Sequence, residues 1–297
     1  MARLKGKRMS MNQFKLGERA VLMRLSVGLP GKSRKDKALT GDIQTEHALG
    51  RESGNWVKSK FPKWALEPLE KLVGEARQYH ARVTLPFDAG IGILPAGLIQ
   101  EYTETMREYA GKFLGLAHSH FELRYAEMVE WARAEHNGTF DASDYPPVEE
   151  LLECFTFKAE ATPIPGEEHY AEGIKALLGV DSASVDVQIN DAAVEGQREL
   201  MRRLMAPVRA MAVKLAEDPG DGKAPIFRDT LIGNLQEIAG LAPKLNIGGD
   251  AQIDAFAREI SALTQFTPYI LRQSAGVRNE AQNAAAALLA KMDGYRL

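Results

Sequence analysis

AGLIQEYTETMREYAGKFLGLAHSHFELRYAEMVEWARAEH, residues 96–136, reads as one long amphipathic helix. Apolar residues recur at Tyr102, Met106, Tyr109, Phe113, Leu116 and Leu123, with His120 in register, and spacings of four and three alternate along a continuous seam. At about 1.5 Å per residue such a helix extends roughly 60 Å, so its seam needs a long partner. Met201, Leu204, Val208, Met211 and Leu215 form a second four-three seam in a helix expected over 191–217, with Pro207 inside it. The two helices predict an elongated antiparallel helical hairpin that buries Phe113 and Leu116 against the later helix. Gly111 and Gly115 share one face of the first helix and permit close approach, and Asn137-Gly138 is expected to end it as a left-handed cap.

Around the hairpin, three stretches read as strands. They are RAVLMRLSVG (19–28), ARVTLPFDAGIGILP (81–95), whose Pro86 and glycines suit a sheet edge or a bend, and CFTFKAEATPIP (154–165). Pro68 sits in the first turn of a helix ending near Gln78, and Asp144 with Pro146 and Pro147 opens a short one. Further helices are expected at 167–178, 227–242, 251–264 with Asp250 as N-cap, and 276–292. The fold class is therefore mainly α with a small antiparallel β-sheet (α+β). It divides into a basic arm and first strand at 1–37, an α+β body at 38–217 and a C-terminal helical region at 218–297. Apolar seam left over from the hairpin, and the flat alanine-rich last helix, predict a homo-oligomer.

Charge is near balance overall, with a formal net of −3, but unevenly placed. Residues 1–37 carry +9, which leaves −12 on the rest, the pattern of a basic arm on an acidic body or of a solvated N-terminus. No apolar run has signal-peptide or membrane-spanning length, so a cytoplasmic protein without a membrane partner is expected. The single cysteine, Cys154, fits a reducing compartment and reads as a small buried apolar residue.

Chemistry-bearing motifs are sparse. Gly31-Lys32-Ser33 is the tail of a phosphate-binding loop, but Ser26 stands where the first glycine belongs, and RKDKALTGD does not read as the helix that must follow. His118 and Glu122 have metal-ligand spacing on a helix without a third ligand, and His120 reads as a hydrogen-bonded interior histidine. Arg198, Arg202 and Arg209 share a face that is either an anion site or a solvated surface. No catalytic signature is present, so no catalytic residue, metal or cofactor is assigned and a non-enzymatic protein is expected. The remaining pattern is RESGNWVKSKFPKW (51–64), in which lysines alternate with aromatic residues. Stacking of bases on rings while ammonium groups meet phosphates would use Trp56, Lys58, Lys60 and Trp64, joined by Lys5, Lys7, Arg8, Lys32, Arg34, Lys35 and Lys37 of the basic arm. The competing reading makes the tryptophans core anchors with lysines at the rim.

The order of these features resembles a family of bacteriophage and integrative-element proteins. The likeness rests on the basic-tipped first strand, on KSKFPKWALEPL (58–69) entering a helix, on ARVTLPFDAGIGILP before the long helix, on CFTFKAEATPIP, and on FRDTLIGNLQEIAGLAPKLNIGGD (227–250). Members tend to be encoded beside a MoxR- or CobS-type AAA+ ATPase and near recombination genes. The resemblance implies an accessory role in phage or mobile-element DNA replication or recombination, with single-stranded DNA or another nucleic acid as partner. An adaptor for an AAA+ ATPase and a protein-binding inhibitor of a host defence complex are the alternatives. These motifs are architectural and transfer no catalytic residue.

Overall fold

The computed structural model describes residues 16–164, 182–216 and 229–295; the helix expected at 167–178 and Lys5, Lys7 and Arg8 lie outside them. A short helix α1 (Leu16–Arg19) leads into strand β1 (Ala20–Gly28) and then β2 (Ser33–Lys35). Helix α2 (Lys37–Glu46), strand β3 (Val57–Ser59) and helix α3 (Lys63–Val83) follow. Next come β4 (Leu85–Asp88), β5 (Ile91–Pro95), α4 (Ile99–Ala117), α5 (Tyr125–His136), α6 (Val148–Leu152) and β6 (Thr156–Thr162). The last part is helical: α7 (Ser182–Ala216), α8 (Asp229–Leu245), α9 (Ala251–Leu263), α10 (Pro268–Gln273) and α11 (Ala275–Asp293). Strands form a four-stranded sheet in the order β4-β5-β1-β6 and a separate ribbon of β2 with β3. The mainly α class with a small antiparallel sheet therefore holds, and no helix among the described residues is long and apolar enough to cross a membrane.

Two compact units divide the described residues, one formed by 16–23, 81–100, 161–164, 182–216 and 229–295, the other by 24–80 and 101–160. In the first, the stretch 81–95, expected as a single strand with an edge or bend, holds two, β4 and β5, paired as a hairpin that turns at Gly90, whose φ of +73° is open to glycine at little cost. Its seam on α7 is buried at Met201, Leu204, Val208, Met211 and Leu215, as the spacing requires, and packs on α8, α11 and β4. Asp250 caps α9 by accepting from the Gln252 amide at 2.7 Å. Arg198 and Arg202, on exposed turns of α7, pair with Glu195 and Glu199, which makes them a solvated, ion-paired face.

In the second unit α4 finds its cover on α3. Phe113, fully buried, joins Phe61, Ala65, Leu66, Leu69 and Val73 of the α3 region with Phe121, Met128, Leu151 and Phe155, and Leu116 packs on the same core half-buried. Each of the two long seams is thus covered within its own unit.

The 96–136 helix is interrupted. A π-helical turn at His118–Glu122 separates α4 from α5. Because the wider turn adds a residue to the repeat, the seam rotates. Phe121 becomes fully buried, while Leu123, expected in the seam, is 68 % exposed. Asn137 ends α5 with positive φ, as a cap should, but its ψ of −120° lies outside the left-handed helical region. Cys154 departs from expectation: it is exposed, in the turn between α6 and β6. His120 behaves as an interior histidine, its Nδ1 lying 3.2 Å from the Ala65 carbonyl and its ring edge-on to Trp64.

Candidate nucleic-acid interface

The ribbon joins two stretches that are separate in the sequence. β2 and β3 pair antiparallel, with Ser33 opposite Ser59, Arg34 opposite Lys58 and Lys35 opposite Val57. The basic run 32–37 therefore lies along the stretch that begins at Trp56. Beyond the ribbon, the Lys60 amide donates to the Lys32 carbonyl at 2.8 Å and the Asp36 amide to the Trp56 carbonyl at 3.0 Å, extending the same pairing.

Asp36 is the hinge of this arrangement. It caps α2, its Oδ1 accepting from the Leu39 amide at 2.9 Å, while Oδ2 meets Lys58 Nζ at 3.1 Å. The Leu39 amide first, and then Lys58, hold its carboxyl below the usual aspartate range. That α2 forms at all corrects the reading of RKDKALTGD as non-helical. The capping aspartate offsets the weak helix propensity of Thr40 and Gly41. The helix nevertheless starts four residues after Ser33, and Ser33 itself is in a strand, so Gly31-Lys32-Ser33 does not form a phosphate loop.

Lys58 is not a surface cation. Only 8 % exposed, it is held by Asp36, by the Thr139 carbonyl at 2.6 Å and, at 3.9 Å, by Asp144. Asp144 is also buried and engages Arg34 through its other oxygen. Alongside, His136 Nε2 lies 2.8 Å from the Ser59 carbonyl, so the 136–144 segment holds the outer side of β3. A buried ammonium with two carboxylates and a carbonyl is a cross-link between segments far apart in sequence.

Among the remaining sequence candidates, Trp56 stands out. Its backbone is clamped, the amide donating to Thr40 Oγ1 at 2.9 Å and the carbonyl accepting from Asp36, yet the side chain is 50 % exposed. No ring or cation contact engages its indole among the described residues. Trp64 is different: half-buried on the core of its unit, it carries the Arg124 guanidinium 3.8 Å from its ring centroid. Lys35 and Lys37 are exposed and, among the described residues, unpaired. Lys32 reaches Glu70 at 3.0 Å but stays largely exposed. Lys60 sits over the Phe61 ring, and burial with the neighbouring Arg34 lowers its pKa.

Sequence reasoning singled out both stretches of the ribbon as candidate binding residues but read neither as a strand, and it missed the residues that lock them together: Asp36, His136, Thr139 and Asp144. An aspartate three positions before an apolar helical residue was a legible cap signal at Asp36; the other three carry no local signature. His118 pairs with Glu122 at 2.5 Å, and no group of three metal-ligating side chains occurs among the described residues. Compared with protein-family models, curated proteins and solved structures, the chain matches none.

Proposed function

We propose that the protein binds single-stranded nucleic acid along the β2–β3 ribbon, as a non-enzymatic accessory factor of phage or mobile-element DNA metabolism. One observation carries the reading: strand pairing sets the basic run Lys32, Arg34, Lys35, Lys37 beside an indole whose backbone is fixed and whose ring is open. An exposed indole on an anchored backbone can stack on any base, and flanking cations meet the phosphates. Lys60 adds charge at the ribbon's end. In this reading Lys58 and Trp64 hold the surface together and do not touch the ligand.

Single strands are favoured over duplex because a lone indole needs an unstacked base. Fluorescence titration of the full chain with labelled single-stranded oligonucleotide tests this. Trp56→Ala is expected to cost about 1 to 3 kcal/mol on single strands and much less on duplex. Unchanged affinity in that variant rejects the ribbon as the site, and co-purification with an AAA+ ATPase or a host complex would then support the protein-binding alternatives.

A further inference from the structure

We propose that Asn137-Gly138 is a built-in site of spontaneous deamidation, at which the folded backbone eclipses the asparagine Cβ with its own succeeding amide, the backbone half of the cyclic-imide geometry. This inference stands apart from nucleic-acid binding.

Asn137 has φ +42° and ψ −120°. That pair falls in the mirror-image extended region that glycine populates and other residues rarely enter, so the conformation is imposed by the fold on both sides. On one side α5 ends; on the other, Lys58 Nζ grips the Thr139 carbonyl and the Phe140 amide returns to the Asn137 carbonyl at 3.1 Å. At an L-configured α-carbon the backbone nitrogen and Cβ are separated by about 120° around the Cα–C bond, so a ψ near this value eclipses Cβ with the next amide nitrogen, the near-attack arrangement for a five-membered imide. Only rotation about Cα–Cβ remains to bring Cγ onto the Gly138 nitrogen. The side chain is exposed, and among the described residues its amide makes no hydrogen bond. Gly138 places no side chain over the attacking nitrogen.

The step balances with water alone. The Gly138 nitrogen loses its proton and bonds to Asn137 Cγ, the Cγ–Nδ2 bond breaks, and the amide leaves as ammonia carrying that proton. Water then opens the imide at Cγ, leaving aspartate, or at the backbone carbonyl, leaving isoaspartate with an extra methylene in the main chain. Either product adds a carboxylate next to the contacts of His136 with Ser59 and of Thr139 with Lys58. No other asparagine in the sequence precedes glycine. Asn246 supplies an internal control, because its side chain is held by Asp250 and Asp254.

The test incubates the full chain, native and urea-unfolded, in neutral and mildly alkaline buffer, and follows peptide masses. The expected result is a gain of about one dalton confined to the peptide containing Asn137, in aspartyl and isoaspartyl forms, faster at higher pH and at least as fast in the native chain as in the unfolded one. Gly138→Ala, whose Cβ would meet no atom within 4 Å, should keep the fold and slow conversion about tenfold or more by shielding the nitrogen. Conversion that is slower in the native chain than in urea, or equal in Gly138→Ala, overturns the proposal.

Discussion

Lys58 shows how a residue's neighbours decide its role. In the sequence it is one of three lysines, with Lys60 and Lys63, interleaved with aromatic residues, and in the fold it is the buried centre of an ion cluster. Replacing it by methionine should destabilise the protein by about 3 kcal/mol, the lower end for a broken buried pair, because Arg34 and the Leu39 amide still partner the two carboxylates. Chemical denaturation measures this directly. The same cluster sets an acid limit. Asp36 has a depressed pKa in the fold, so its stabilising contribution is complete above the ordinary aspartate value of about 3.9 and is lost as the pH falls through the lower folded value. Asp141, lowered by its bonds to Ser143 and then by Arg34 and Lys58, acts in the same direction. Melting temperature should be flat from neutral pH down to about pH 5 and drop below about pH 4, with a shallower drop in Asp36→Asn. The lysine spacing was legible; its burial was not, because Asp144 and Thr139 are distant in the chain and nothing local marks them as partners.

Helix α4 and its continuation illustrate the same limit at the level of the element. The four-three spacing identified Tyr102, Met106 and Phe113 as core, and all three are buried. Periodicity also carried the seam straight through to Leu123, whereas the π-turn at His118–Glu122 moves it to Phe121. A single widened turn changes hydrogen bonding without changing which residues are apolar, so the pattern alone does not reveal it. Paired substitutions separate the two registers. Phe113→Ala should cost about 3 to 5 kcal/mol, since the ring is fully buried among Phe155, Phe157 and α3. Leu123→Ala should lie within about 0.5 kcal/mol of the parent, as a surface change does. Equal losses at both positions would restore the uninterrupted helix. The choice of α3 as the partner of α4 is likewise a tertiary fact: two seams of matching period were present in the sequence, and each is covered by neighbours in its own unit.

For the whole molecule, four of the basic residues counted in the N-terminal 37, Lys32, Arg34, Lys35 and Lys37, lie in β2 or directly beside it. The basic run passes through a ribbon strand to the first residue of α2, and the open indole directly precedes the opposite strand, while the acidic groups Asp36 and Asp144 are consumed in the ion cluster. Lys35 and Lys37 remain for a polyanion. The central claim is most directly tested by titrating labelled single-stranded DNA with the parent chain and with Lys35→Ala/Lys37→Ala across a range of salt. The account predicts affinity that falls with salt in the parent and a slope shallower by about 0.7 log units per decade for each lysine removed. Equal slopes for the parent and the double variant would contradict it.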